Sequence, residues 1–221
     1  MDIKRKYLFL SKISNLECNK VINYLNIQTQ MHTKLLTQLN QLVDLNKEDE
    51  QLIANSFVSM KLSKGDFFLR AGNTCKFVGF INKGLVRYFV LKNDEESTFE
   101  FTKEGEFISD YSSFNGGGVS NQNIEAIEDC ELLVIDFQKL QHIFQTIPDG
   151  NLLGRLIIEY RFHIMVNQLL AVYMQNSEQR YTKFLNDYTD LTQRIPQYLI
   201  ASYVGVQPPS LSRIRKRIFK P

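Results

Sequence analysis

The sequence predicts an α+β protein with an N-terminal β-roll, one long helix and a C-terminal helical domain built on a helix-turn-helix. Three observations predict it. Between Phe57 and Asp136, short runs alternate apolar and polar residues and are broken by glycine turns, the pattern of a small barrel or sandwich. From Asn151 to Asn176 the period becomes helical, with apolar residues on two sides. From Arg194 the chain reads RIPQYLIASYVGVQPPSLSRIRKRI, two short amphipathic stretches joined at Gly205.

Composition bounds the class. The chain has 221 residues, 43% hydrophobic and 23% charged, which suits one large globular domain or two ordinary ones. Cys18, Cys75 and Cys130 stand far apart without a CxxC pair, so neither a zinc ribbon, an iron–sulfur cluster nor a disulfide framework is indicated. Apolar runs fall short of the ~18–20 residues that cross a bilayer. Lys4-Arg5-Lys6 precedes Tyr7-Leu8-Phe9-Leu10, an apolar core below the ~7–15 residues of a signal peptide. A cytoplasmic protein without membrane attachment is expected.

The elements follow in order. Residues 32–56 read as helical, with Leu35, Leu39, Leu42 and Val43 at helical spacing and Asn46-Lys47-Glu48-Asp49 as a cap opening another turn through Leu52 and Ile53. Val58, Met60 and Leu62 then alternate, and Lys64-Gly65-Asp66 turns the chain. Further strands are expected at Phe67–Arg70, Phe77–Ile81, Leu85–Leu91, Thr98–Thr102, Phe107-Ile108, Ile124–Ile127 and Leu132–Ile135. Helix resumes after Asp136. In the long helix, Leu153, Ile157, Tyr160, Ile164, Asn167, Ala171 and Met174 form one stripe, and Leu156, His163, Leu170 and Tyr173 another. A helix apolar on two sides needs two partners, here its own roll and a second copy of the chain. Ile157, Tyr160, Ile164, Asn167, Ala171 and Met174 are therefore expected at a dimer seam.

The C-terminal stretch meets the demands of a helix-turn-helix. Pro196 suits a first helical turn, where its missing N–H would be unpaired anyway. Ile200, Ala201 and Val204 supply a buried face, and Gly205 stands where a left-handed terminus is needed. Gln207-Pro208-Pro209 opens a second helix whose Leu211, Ile214 and Ile218 face inward, leaving Ser210, Arg213 and Arg217 outward. An arginine there can bond guanine O6 and N7 together, and Pro209 can meet a thymine methyl. Hydroxyls and lysines nearby suit phosphate oxygens. The candidate DNA-contacting set is Gln207, Pro209, Ser210, Ser212, Arg213, Arg215, Lys216 and Arg217. Charge agrees: from Gln175 onward eight basic residues oppose three acidic ones, whereas the whole chain nets only +2. The domains expected are a leader at 1–31, a sensory β-roll at 32–148, a dimerisation helix at 149–176 and a DNA-binding domain at 177–221.

This order of helix, β-roll, long helix and helix-turn-helix resembles the Crp/Fnr family of bacterial transcription regulators, over roughly Leu35 to Phe219. Its carriers are Lys64-Gly65-Asp66, Asn82-Lys83-Gly84-Leu85, Glu104-Gly105-Glu106-Phe107, Asn123-Ile124-Glu125-Ala126 and Pro196 to Arg217. The resemblance implies a cyclic-nucleotide-binding-like roll, a winged-helix-like C-terminal domain and a homodimer reading a near-palindromic operator. It implies double-stranded DNA and RNA polymerase as partners, and no catalysis.

The resemblance fails at one place. The family's cyclic-AMP cassette looks like Gly-Glu-Leu followed by an Arg-Ser pair. Here Ser109-Asp110 match Gly-Glu and Ser120-Asn121 match Arg-Ser, so the phosphate-binding arginine is missing. From Glu104 to Gln138 the chain has no Lys or Arg but eight acids, so a cyclic phosphate there would meet negative potential. Cyclic AMP is not expected to bind in the family's way, and no cofactor is assigned. Gly116-Gly117-Gly118 reads as a hairpin loop in preference to an anion nest.

Two rival readings stand beside this one. A metal-dependent barrel enzyme would need paired histidines, but His32, His142 and His163 lie outside the strands. A ligand- or protein-binding roll capped by structural C-terminal helices is the other. For residues 1–31, either Met31 is the physiological start or Leu16, Val21, Ile22 and Leu25 mark an extra helix.

Overall fold

The computed structural model describes residues 32–219, so both readings of 1–31 lie outside it. Residues 32–39 form helix α1, and Lys47–Ser56 form α2. Asn46 opens α2 as expected: its side chain accepts from the N–H groups of Glu48 and Asp49, and the Asp49 carboxylate accepts from Asn46 N–H at 3.1 Å. The reciprocal cap satisfies donors that a first helical turn leaves open.

Eight strands follow: β1 (Val58–Leu62), β2 (Phe67–Leu69), β3 (Phe77–Lys83), β4 (Val86–Lys92), β5 (Glu95–Thr102), β6 (Phe107–Ile108), β7 (Asn123–Ala126) and β8 (Cys130–Asp136). They pair antiparallel into two four-stranded sheets, ordered β1-β8-β3-β6 and β2-β7-β4-β5. The β4–β5 hairpin turns on Asn93 and Asp94, at φ 52° and 62°. Two left-handed residues match the twist of the flanking strands, and Asn and Asp tolerate that region. Gly84 is required where it stands: its φ is +105°, and a Cβ would fall 2.6 Å from Cys130 Sγ and 2.7 Å from Asp129 O.

Period-two alternation divides the side chains of the first sheet between two cores. Ile81 and Leu132 face the opposite sheet and join Leu69, Val86, Tyr88, Ile108 and Ile124. Their neighbours Phe80 and Leu133 face the helices, joining Leu35, Leu39, Ile53, Ile143 and Leu153. Covered on both faces, β3 and β8 read as nearly continuous apolar runs. Between β6 and β7 lies α3 (Tyr111–Phe114), capped by Asp110, whose carboxylate accepts from Ser113 N–H at 3.2 Å. The loop after it folds back, with Gly116 and Gly117 N–H donating to Ser113 O and Ser112 O. Those amides are spent inside the chain and form no anion nest.

Asp136 caps α4 (Phe137–Thr146), and α5 (Gly150–Met174) crosses it where Gly154 lets the Phe144 ring approach. Three helices complete the chain: α6 (Ser177–Asp187), α7 (Gln197–Val204) and α8 (Pro208–Ile218), with no strand among the described residues after Asp136. They do not form a free-standing core. Phe101, Leu85 and Ile127 of the roll are buried together with Phe184, Leu191, Leu199, Val204 and Leu211. The Phe101 ring lies within 6.1 Å of those of Phe184, Tyr188 and Tyr203.

Candidate nucleic-acid interface

The turn between α7 and α8 has the geometry that Gly205 suggested. Its φ is +76°, and the N–H groups of Gly205 and Val206 donate to Ser202 O at 3.0 Å and Ala201 O at 2.9 Å. A left-handed glycine thus ends α7 and sends the chain into α8. Pro196 caps α7 just outside its first turn, one position earlier than expected. Ala201 and Val204 are fully buried, as are Leu211 and Ile214 at 2% and 4% exposure.

That burial fixes the outer face of α8. Gln207, Pro208, Pro209, Ser212, Arg213, Arg215, Lys216 and Arg217 are exposed, and Ser210 is half-buried. Not all the arginines are equally available. Arg213 donates to Ser210 Oγ at 3.1 Å, one turn back on its own helix. Arg215 donates to Gln197 Oε1 at 2.5 Å. Arg217 grips Glu178 of α6 through Nε at 3.1 Å and Nη2 at 2.6 Å, so a phosphate there must displace a carboxylate. Lys216 has no hydrogen bond or ion pair among the described residues. Arg194, counted with the basic end, faces the roll instead: it bonds Glu104 and Glu128.

The long helix splits the expected seam. Ile157, Ile164 and Ala171 turn toward the chain's own body and are half-buried, whereas Tyr160, Asn167 and Met174 are exposed. A different stripe is wholly uncovered: Ile158, Phe162, Met165, Leu169 and Val172, at 43% to 64% exposure and at heptad spacing. Periodicity alone cannot say which of two apolar faces meets the roll.

The roll interior differs from a site for a cyclic phosphate. At the cassette positions, Ser109 N–H donates to Tyr88 Oη at 3.0 Å, Asp110 caps α3, and Ser120 Oγ donates to Gln122 O at 3.0 Å. Burial first, then the neighbouring Glu100, holds the Tyr88 phenol far above its ordinary range, so it stays protonated. Arg87 is neutralised by Glu96 and Glu125 and lies over the Phe89 ring. One internal cation comes from outside the roll: Arg161 of α5 bonds Glu100 at 2.7 Å. Burial works against its charge, but Glu100 more than restores it. The residues present do not fit a cyclic nucleotide held in the cassette manner. Sequence reading missed Arg161 and Arg194 because each meets its partner across more than sixty residues, a separation that no local pattern marks.

Comparison with known proteins agrees with this architecture. Residues 59–147 match the family model of the cyclic nucleotide-binding domain. A transcriptional regulator assigned to the Crp/Fnr family, from Eubacterium rectale, superimposes with TM-score 0.62 at 17% identity, over 79% of this chain and 85% of that one. The c-di-GMP-responsive global regulator CLP of Xanthomonas campestris gives 0.64 at 17%, over 78% and 91%. CooA from Carboxydothermus hydrogenoformans, as a double mutant, gives 0.60 at 16%, over 82% of each. Among curated protein sequences nothing matches. The chain therefore carries a cyclic nucleotide-binding fold joined through a long helix to a helix-turn-helix. That is the fold of the Crp/Fnr transcription regulators, and no helix among the described residues is long and apolar enough to cross a membrane.

Proposed function

We propose that this chain is a Crp/Fnr-type DNA-binding transcription regulator that acts as a homodimer on a near-palindromic operator. The observation that carries the reading is α8 itself: a positively charged helix presented outward behind a left-handed glycine turn. Arg213 is the base reader, since it is exposed and held only by a neighbouring hydroxyl. Lys216 and Arg215 address phosphates, as does Arg217 once it leaves Glu178.

The dimer forms along α5. The stripe Ile158, Phe162, Met165, Leu169 and Val172 supports this, because water would otherwise cover five large apolar side chains in one line. Tyr160, Asn167 and Met174 lie on the opposite side of the helix, each two residues from a member of this stripe, and Ile157, Ile164 and Ala171 serve the chain's own body. The effector, where there is one, is not cyclic AMP bound through a cassette arginine.

The shared core around Phe101 favours a second reading, in which the C-terminal helices are a structural cap. Titration against mixed-sequence duplex DNA at several salt concentrations separates the two. A regulator shows affinity that falls steeply with salt, and a cap shows none.

A further inference from the structure

A crevice of about 300 Å³ opens where the three parts of the chain meet. We propose that it binds a small organic anion with an apolar body and acts as the effector site; this deepens the regulator reading above and rests on it. One wall is apolar, from Phe99 of β5 and Met165 and Leu169 of α5. The opposite wall holds Arg180 and Lys183 of α6.

The electrostatics of Arg180 point to an anion. The residue is half-buried, yet every partner of its guanidinium is neutral: Val204 O at 2.9 Å, Gln175 O at 3.4 Å and Ser177 Oγ at 3.5 Å. Among the described residues no carboxylate reaches it within salt-bridge distance. Lys183 has a partner in Asp187 at 2.7 Å, but that pair is an exposed one and readily exchanged. A carboxylate or phosphate head thus finds a guanidinium without an ionic partner and an ammonium, and a short apolar body finds Phe99, Met165 and Leu169.

Position gives the site its consequence. Arg180 ties the end of α5 to the end of α7, and its Nη2 lies 3.1 Å from where a Cβ of Gly205 would be. An anion that draws the guanidinium into the crevice loosens its bond to Val204 O, under the turn that aims α8. A ligand with different affinity for the two arrangements shifts the equilibrium between them. Met165 and Leu169 also belong to the uncovered stripe of α5, so the same ligand touches the dimer seam.

The test uses octanoate as probe, titrated calorimetrically into the full chain, with octylammonium and acetate as controls. Octanoate should saturate at millimolar concentration or below, and neither control should bind. Ala171→Leu fills the crevice from α5 without loss of helix propensity and should abolish binding. Lys183→Gln should weaken it about tenfold by removing a charge-assisted bond. Both variants should keep the wild-type circular dichroism and melting midpoint. No octanoate binding, equal binding of octylammonium, or undiminished binding in both variants overturns the proposal. Duplex binding is scored separately, so a chain that takes octanoate but not DNA retains the site and loses the regulator reading.

Discussion

Arg194 and Glu104 meet fork to fork, Nη1 on Oε2 at 3.1 Å and Nη2 on Oε1 at 2.9 Å, and so pin the C-terminal domain to the β5–β6 turn. Glu128 takes the remaining edge of the same guanidinium at 2.7 Å and 3.0 Å. Burial pushes the Glu104 carboxyl up, but the Arg194 guanidinium and the Gly84 N–H hold it below its usual range. A depressed carboxylate stabilises the fold above its unfolded pKa, and that stability is lost as pH falls through the folded value. Half-buried Glu106 has the opposite sign, with its pKa raised chiefly by desolvation, and favours the fold at low pH. Arg194→Gln should therefore cost about 1–2 kcal/mol at neutral pH, since both partners are partly exposed. It should also flatten the loss of stability between about pH 5 and pH 3. Urea melts of both proteins across that range check it, and parallel pH profiles would remove Glu104 as the cause.

Arg161 and Glu100 form a second long-range pair, between α5 and the interior of β5. The Glu100 side chain is only 8% exposed. Arg161→Gln should destabilise by about 3 kcal/mol because it strands a buried charge. Replacing both by leucine should recover most of that loss. If the single and double variants are equally destabilised, packing and not the stranded carboxylate is responsible.

The seam on α5 predicts an oligomeric state. Sedimentation at micromolar concentration should give about twice the 25.8 kDa of one chain. Phe162→Glu should give a monomer that keeps the native circular dichroism, since Phe162 is exposed in the single chain, and its melting midpoint should no longer rise with protein concentration. Ile157→Ala should instead cost about 1–3 kcal/mol of stability, through the core under α5. A dimer that survives Phe162→Glu but is lost on changing Tyr160 and Asn167 would return the seam to the stripe read from the sequence.

Gly205→Ala puts a side chain at φ +76° and within 3.1 Å of Arg180. The expected cost is about 1 kcal/mol or more in stability. Affinity for DNA should fall with it, because the turn aims α8. Full retention of both would show that the turn is not the constraint on the helix pair.

What the sequence disclosed and what it hid follow from range. Capping at Asn46 and the helix–Gly205–helix unit depend on residues a few positions apart, so their chemistry is local and legible. The single turn of α3 is too short to carry a period. Periodicity leaves open which face of α5 meets the roll because both faces are apolar, and only the position of β5 and α4 decides between them. On α8 the inward residues were legible from spacing, but the capture of Arg217 by Glu178 needed the fold. The pairing of Arg194 with two acids of the roll shows why a tally of basic residues overstates what faces DNA.

The most direct test of the central claim is selection of bound duplexes from a random pool by the full chain, followed by titration of wild type and Arg213→Ala. Selection should enrich an inverted repeat whose half-sites lie about one helical turn apart, ~34–36 Å. Arg213→Ala should lose about 1–3 kcal/mol on that duplex and relax one guanine per half-site, with little change on scrambled DNA. Lys216→Ala should weaken both duplexes alike and reduce the salt slope by about one per site. Failure to enrich any sequence, with no salt-dependent affinity for duplex DNA, would contradict the claim that α8 is a recognition helix.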